Sequence, residues 1–205
     1  MTRIVDPYLS EDMYEFILAG ILSHIKQFHA YQQDQTRGLW EQKPYHTISS
    51  TRIAILGAGQ IGGHVATKLA LLGFKVKAWS KSDKTLNQVS CFYGQEGLGD
   101  TLRQTDILVN ILPLTSATTN ILNYHTLSQL NPKAYLINVG RGEHLVESDL
   151  IQLLDEGHLT GALLDVFREE PLPKRHPFWQ HDKIQITPHV AGPVSYTHLP
   201  SPRDS

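Results

Sequence analysis

The sequence predicts an α/β fold in which a doubly wound parallel sheet is covered by helices on both faces. Three observations predict it. Short apolar runs alternate with segments of helical periodicity from residue 51 onward, as in a series of β-α-β units. One run, RIAIL at 52–56, leads directly into GAGQIG at 57–62, and a glycine-rich turn between strand and helix has a specific physical use. Three later runs lead into chemically competent side chains, Arg141, Glu170 and His189, and ligands of doubly wound sheets lie beyond the carboxyl ends of the strands.

Each element follows in chain order. Ser10, Glu11 and Asp12 read as a helix start, a hydroxyl cap with acids in the first turn. Met13, Phe16, Ile17, Ile21, Ile25 and Phe28 then recur at helical spacing. Residues 38–50 are polar, contain Pro44 and form a connecting arm, which divides a helical segment at 1–50 from a domain at 51–192. Strands are expected at 52–56, 75–79, 107–112, 134–138, 161–166 and 184–187, and helices at 60–72 and 147–156. The crossovers between parallel strands should be right-handed.

Composition narrows the function classes. The chain has 205 residues, a formal net charge of -2, 40% hydrophobic and 19% charged residues. That soluble globular profile argues against nucleic acid or an acidic membrane surface as a partner. A single cysteine, Cys91, allows neither an intrachain disulfide nor a cysteine-based zinc cluster. The histidines show no paired ligand spacing on one helix face, so no metal is expected. The N-terminus MTRIVDPYLS lacks the apolar run of a signal peptide, and no apolar stretch approaches the roughly 18 residues of a membrane span. A reduced, cytoplasmic protein is the expectation.

GAGQIG points to a dinucleotide. Gly57 suits a tight turn, Gly59 lets the backbone approach a pyrophosphate, and Gly62 allows close packing of helix on strand. Gln60 and Ile61 open the helix, whose N-terminus offers free N–H groups and partial positive charge to phosphates. After the second strand an acid would hold the ribose hydroxyls of NAD, but the chain reads Trp79, Ser80, Lys81, Ser82. A serine and a lysine bind and neutralise a 2′-phosphate that a carboxylate would repel. NADP, as NADPH, is therefore preferred, and Asp83 near the same ribose keeps NAD possible.

Arg141 stands between Gly140 and Gly142 just past a strand end. The glycines would permit unusual backbone angles and clear room for a ligand, and a guanidinium there can hold a carboxylate bidentately. DVFREEP puts Glu169 and Glu170 after the next strand, and ITPH puts His189 after the one following. Singly these are a surface charge, a rim acid and a loop histidine; together at neighbouring strand ends they form a candidate reaction centre.

These segments carry a resemblance. GAGQIG, ILVNILPLTSATTNIL, LINVGRGEHLVESDLI, GALLDVFREEPLP and ITPHVAG resemble the D-isomer-specific 2-hydroxyacid dehydrogenase family, and WSKS and PFWQH are most similar to its glyoxylate/hydroxypyruvate reductase branch. The likeness covers residues 3–193. It implies a Rossmann-type dinucleotide-binding domain, NADPH-dependent reduction of a small 2-oxo acid, and a homodimer built on the long N-terminal helix. It matches Arg141 to the substrate-carboxylate arginine, Glu170 and not Glu169 to the glutamate paired with a catalytic histidine, and His189 to that histidine. It matches Asp165 to the residue that holds the nicotinamide amide and adds Pro113 to the cofactor contacts. The family's second, substrate domain is expected to be largely absent. VSYTHLPSPRDS, with Pro200 and Pro202, does not resemble the family's returning helix, so 193–205 reads as a foreign, disordered tail. An incomplete chain of this kind, with one wall of the cleft, should not turn over appreciably alone. The alternative function on the same fold is a non-catalytic, dinucleotide-responsive binding protein.

Overall fold

The parallel pairing of every strand decides the architecture of the computed structural model, which describes residues 7–192. The tail expected at 193–205 lies outside the described residues. The strands are Arg52–Leu56 (β1), Lys75–Ser80 (β2), Ser90–Tyr93 (β3), Ile107–Asn110 (β4), Ala134–Asn138 (β5), Leu159–Leu164 (β6) and Ile184–Ile186 (β7). They form a 7-stranded sheet in the order β3-β2-β1-β4-β5-β6-β7. Strand order reverses at β1, which opens a crevice between the loops leaving β1 and β4.

Helices cover both faces: Pro7–Ile25 (α1), Phe28–Arg37 (α2), Gln60–Leu71 (α3), Gly94–Leu102 (α4), Tyr124–Leu127 (α5) and Glu147–Asp155 (α6). Successive strand residues point to opposite faces, and here both sets are apolar, as a sheet buried on both sides requires. Ile53, Ile55, Ile107, Val109, Tyr135 and Ile137 meet α1 and α3. Ala54, Leu56, Leu108, Leu136, Ala162 and Leu164 meet Leu102 of α4, Leu127 of α5 and Leu150, Leu153 and Leu154 of α6.

The N-terminal helix differs from its sequence reading. It is already helical from Pro7, a residue suited to a first turn, so Ser10 is a buried helical residue and not a cap. Glu11 instead reaches across to α3, with its carboxylate 2.9 Å from both His64 Nε2 and Lys68 Nζ. The periodic run to Phe28 is broken at Gln27, which adopts a left-handed φ of 62° and separates α1 from α2. Ile17, Ile21 and Ile25 are fully buried against the chain's own sheet. Helix and sheet share one core across residue 50, and the face expected to serve a dimer is already covered.

Four elements were not named from the sequence, β3, α2, α4 and α5. Strand ends also moved: ILVNIL is extended only to Asn110, and β6 runs from Leu159 to Leu164, which releases Asp165 and Val166 into the following loop. No helix of the described residues is long and apolar enough to cross a membrane.

Candidate active site

The glycine loop is anchored by backbone alone. Gly57 N and Ala58 N both donate to Trp79 O at the end of β2, each at 2.9 Å. Gly57 has a φ of 113°, and a Cβ there would meet Ile111 C and O at 3.0 Å. A Cβ on Gly62 would lie 2.0 Å from Gly57 O, so α3 can start this close to β1 only with glycine. A Cβ on Gly59 would have nothing within 4 Å. Gly59 thus borders open space and Gln60 is exposed at the first turn of α3, where helix N–H groups lack carbonyls four residues earlier, while the Ile61 side chain packs toward the core. A helix N-terminus with this clearance is able to accept an anion such as a phosphate.

At the end of β2 the side chains divide. Ser80 is buried and its hydroxyl donates to Ser82 O at 2.5 Å. Its single proton is engaged there, so the hydroxyl must turn before it can donate to a phosphate. Lys81, Ser82 and Asp83 are exposed. Pro113, on the loop after β4, offers its carbonyl to Thr118 Oγ1 at 2.8 Å.

The loops after β5, β6 and β7 bring the remaining groups together. His189 Nδ1 lies 2.8 Å from Glu170 Oε2, and Glu170 Oε1 accepts from Phe167 N at 2.9 Å. Burial pushes the Glu170 carboxyl up, but the hydrogen bonds from His189 and Phe167 N outweigh it and leave the group below its usual range; the Arg141 charge acts in the same direction. An ionised carboxylate only accepts, so His189 Nδ1 is the donor and Nε2 is left to the cleft. Glu169 is exposed and outside this pair.

His189 itself has a φ of 56°, a conformation uncommon for a residue with a side chain and worth a cause. The cause is Asp165, which is 1% exposed. Its carboxylate accepts from Thr187 Oγ1 at 2.6 Å, Val190 N at 2.9 Å and Ala191 N at 2.9 Å, gripping the turn on both sides of the histidine. A carboxylate has about four acceptor sites, and these three bonds occupy most of them.

The glycines around Arg141 act differently from the sequence reading. Neither lies at positive φ, and the room is filled by protein. A Cβ on Gly142 would sit 1.9 Å from Phe167 C, and one on Gly140 would sit 2.7 Å from Asn110 Nδ2 and 2.9 Å from His144 Nδ1. The exposed Arg141 guanidinium donates from Nη1 to Gly140 O at 2.7 Å.

Four residues around this loop were missed in the sequence. Asn110, Asn138 and His144 form a buried polar cluster beneath Arg141, with Asn110 Nδ2 at 2.9 Å from both Asn138 Oδ1 and His144 Nδ1. Arg168 ties the β6 loop to the β5 loop by donating from Nε to Leu145 O at 2.9 Å. A signal for the asparagines exists: ILVN and AYLIN end alike, and Asn110 pairs with Asn138 in register.

Comparison with known proteins gives consistent matches. Residues 18–191 match the family model described as D-isomer specific 2-hydroxyacid dehydrogenase, NAD binding domain. The chain is 44% identical over 192 residues to glyoxylate/hydroxypyruvate reductase A of Yersinia enterocolitica, covering 94% of this chain and 61% of that protein. It therefore spans about three-fifths of the length of the curated relatives it matches. A D-isomer specific 2-hydroxyacid dehydrogenase from Xanthobacter autotrophicus Py2, solved with NADPH and MES, superposes with a TM-score of 0.91 at 38% identity, over 95% of this chain and 81% of that one. An NADPH-dependent glyoxylate/hydroxypyruvate reductase from Sinorhizobium meliloti, solved with NADP and sulfate, gives 0.89 at 36% identity, over 93% and 61%.

Proposed function

Because this chain belongs to the D-isomer specific 2-hydroxyacid dehydrogenase family, we propose that it serves NADPH-dependent reduction of a small 2-oxo acid, of the glyoxylate or hydroxypyruvate type, to the 2-hydroxy acid. The observation that carries the reading is the 2.8 Å His189–Glu170 pair, within reach of the Arg141 charge, at strand ends beside a glycine cradle. Relatives named as glyoxylate/hydroxypyruvate reductases support the substrate class.

NADPH, when bound, supplies the hydride. Gly57, Gly59, Gln60, Ile61 and Gly62 would hold its pyrophosphate, Ser80, Lys81 and Ser82 its 2′-phosphate and Asp165 its nicotinamide amide, with Pro113 as a further cofactor contact. Arg141 holds the substrate carboxylate and polarises the adjacent carbonyl. His189 gives the proton on Nε2 to the oxygen of that carbonyl as it gains charge. Glu170 keeps the imidazole oriented through Nδ1 and favours its protonated form. The decisive assay is oxidation of NADPH by the full-length protein with glyoxylate or hydroxypyruvate. Tight NADPH binding without turnover would favour the binding-protein alternative instead.

Two substitutions test separate parts of this reading. Ser80→Asp should flatten or reverse the preference for NADPH over NADH, because a carboxylate repels the 2′-phosphate; fluorescence titration with both cofactors checks it, and an unchanged ratio removes the assignment. Glu170→Gln should move the alkaline fall in kcat/KM for reduction to lower pH. The wild-type carboxylate is ionised above its lowered range, so its charge supports the proton donor across neutral pH and glutamine does not. A pH profile that stays in place would show that Glu170 is not the partner.

A homodimer and a cytoplasmic location belong to the same proposal. Exposed aromatic side chains on α2 and the arm, Phe28, Trp40 and Tyr45, support a protein partner surface. The single cysteine suits a reducing compartment.

A further inference from the structure

The buried cluster beneath Arg141 has a geometry that the reduction step itself does not use. We propose that His144 is a positioning residue: its ring fixes the backbone that carries Arg141 and joins that loop to the loop of Pro113, setting the distance between bound carboxylate and bound cofactor. The assignment of carboxylate and cofactor rests on the function proposed above; the positioning does not.

His144 is fully buried. Its Nδ1 accepts from Arg141 N at 3.1 Å and from Asn110 Nδ2 at 2.9 Å. A nitrogen that accepts from two N–H groups carries no proton, so the hydrogen sits on Nε2, which faces Pro113 O at 3.4 Å. Protonation of Nδ1 would set an N–H against two donors. Burial, the largest influence, also disfavours the charged ring and lowers its pKa; Arg141 acts with it, and the Pro113 carbonyl and Glu143 act against it.

The carbonyl side of Arg141 is held as well. Arg141 O accepts from His144 N at 3.2 Å and from Asn138 Nδ2 at 3.3 Å. Asn138 Oδ1 in turn accepts from Asn110 Nδ2 at 2.9 Å and Gly140 N at 3.2 Å. Both polar backbone groups of Arg141 are therefore fastened to the ends of β4 and β5, and Gly140 has no space for a Cβ because the cluster occupies it. Pro113 O, at the other nitrogen of the ring, lies on the loop after β4, which carries a cofactor contact in the function proposed above. One imidazole thus spans the two loops.

The test uses full-length protein as wild type, His144→Leu and His144→Asn; asparagine keeps an acceptor near the position of Nδ1, and leucine removes it. Nitrogen NMR of histidine-labelled wild type should show His144 as the neutral Nε2–H form. Hydrogen exchange at the Arg141 amide should speed up by about 10- to 100-fold in the leucine variant and stay slow in the asparagine variant, with Ile55 unchanged in both. With NADPH saturating, kcat/KM for glyoxylate should fall by about 10- to 100-fold in the leucine variant, mainly through KM, as expected for misplacement on the ångström scale. NADPH affinity should hold, and asparagine, which keeps the contact to Arg141 N but not the one to Pro113 O, should restore part of the loss. Equal exchange at Arg141 in all three proteins, an Nδ1–H or charged ring at neutral pH, or equal kinetic loss in both variants would overturn the proposal. Wild type that reduces no 2-oxo acid would defeat the functional reading alone, because tautomer and exchange still decide the positioning.

Discussion

Replacing His189 by glutamine in the full-length protein is expected to lower turnover by roughly 10²–10⁴-fold, the usual contribution of a positioned general acid, while NADPH binding stays nearly intact. Glutamine can fill part of the space and accept or donate a hydrogen bond, but it has no proton to release to an alkoxide. The structure limits the damage to that function. The turn around residue 189 is gripped through Thr187, Val190 and Ala191 by Asp165, and none of those bonds involves the imidazole. The glycine cradle lies at the other strand ends and is pinned to Trp79. Cofactor fluorescence titration and steady-state NADPH oxidation separate the two effects. A variant that retains most of its kcat would show that another group supplies the proton.

The second large effect is expected at Gly142. A methyl group there would overlap Phe167 C at 1.9 Å, Phe167 O at 2.1 Å and Arg168 N at 2.3 Å. All three are backbone atoms, which cannot swing aside as a side chain would. Gly142→Ala should therefore lose about 3 kcal/mol, the upper end of overpacking costs, and displace Arg141 along with the loop. Gly59→Ala is the control, since its added methyl meets nothing within 4 Å; it should cost far less stability while obstructing the pyrophosphate. Urea denaturation of the two variants measures the contrast. Equal midpoints would mean that the β5 and β6 loops can separate freely.

The glycine pattern was legible where spacing alone carries the meaning. RIAIL followed by GAGQIG needed no tertiary knowledge, because strand, turn and helix start are local features. The strand-end residues Arg141, Glu170 and His189 could be gathered for a similar reason: parallel topology sends all strand ends to one side. β3 and α4 were not legible. SCFY is four residues at a sheet edge without alternation, and Gly94, Gly97 and Gly99 argue against a helix that tertiary packing nevertheless forms. Gly140 and Gly142 looked like freedom for a ligand and proved to be close approach of protein to protein. The Asn110–Asn138–His144 cluster was beyond local reading, because its meaning depends on two strands pairing in register.

The packing of Gly20 on Leu163, where an added Cβ would lie 2.6 Å from Leu163 Cδ2, bears on how the chain is made. The first long helix leaves the ribosome roughly 140 residues before its partner on β6. At translation rates of about 5–20 residues per second, that interval is roughly 7–30 s. Through that interval Ile17, Ile21 and Ile25 can meet β1, β4 and α3 as these emerge, but their core neighbours on β6 are still missing. The isoleucine stripe of the nascent chain therefore stays incompletely covered until β6 emerges, and folding of the helix onto the sheet is completed only after most of the chain has been made.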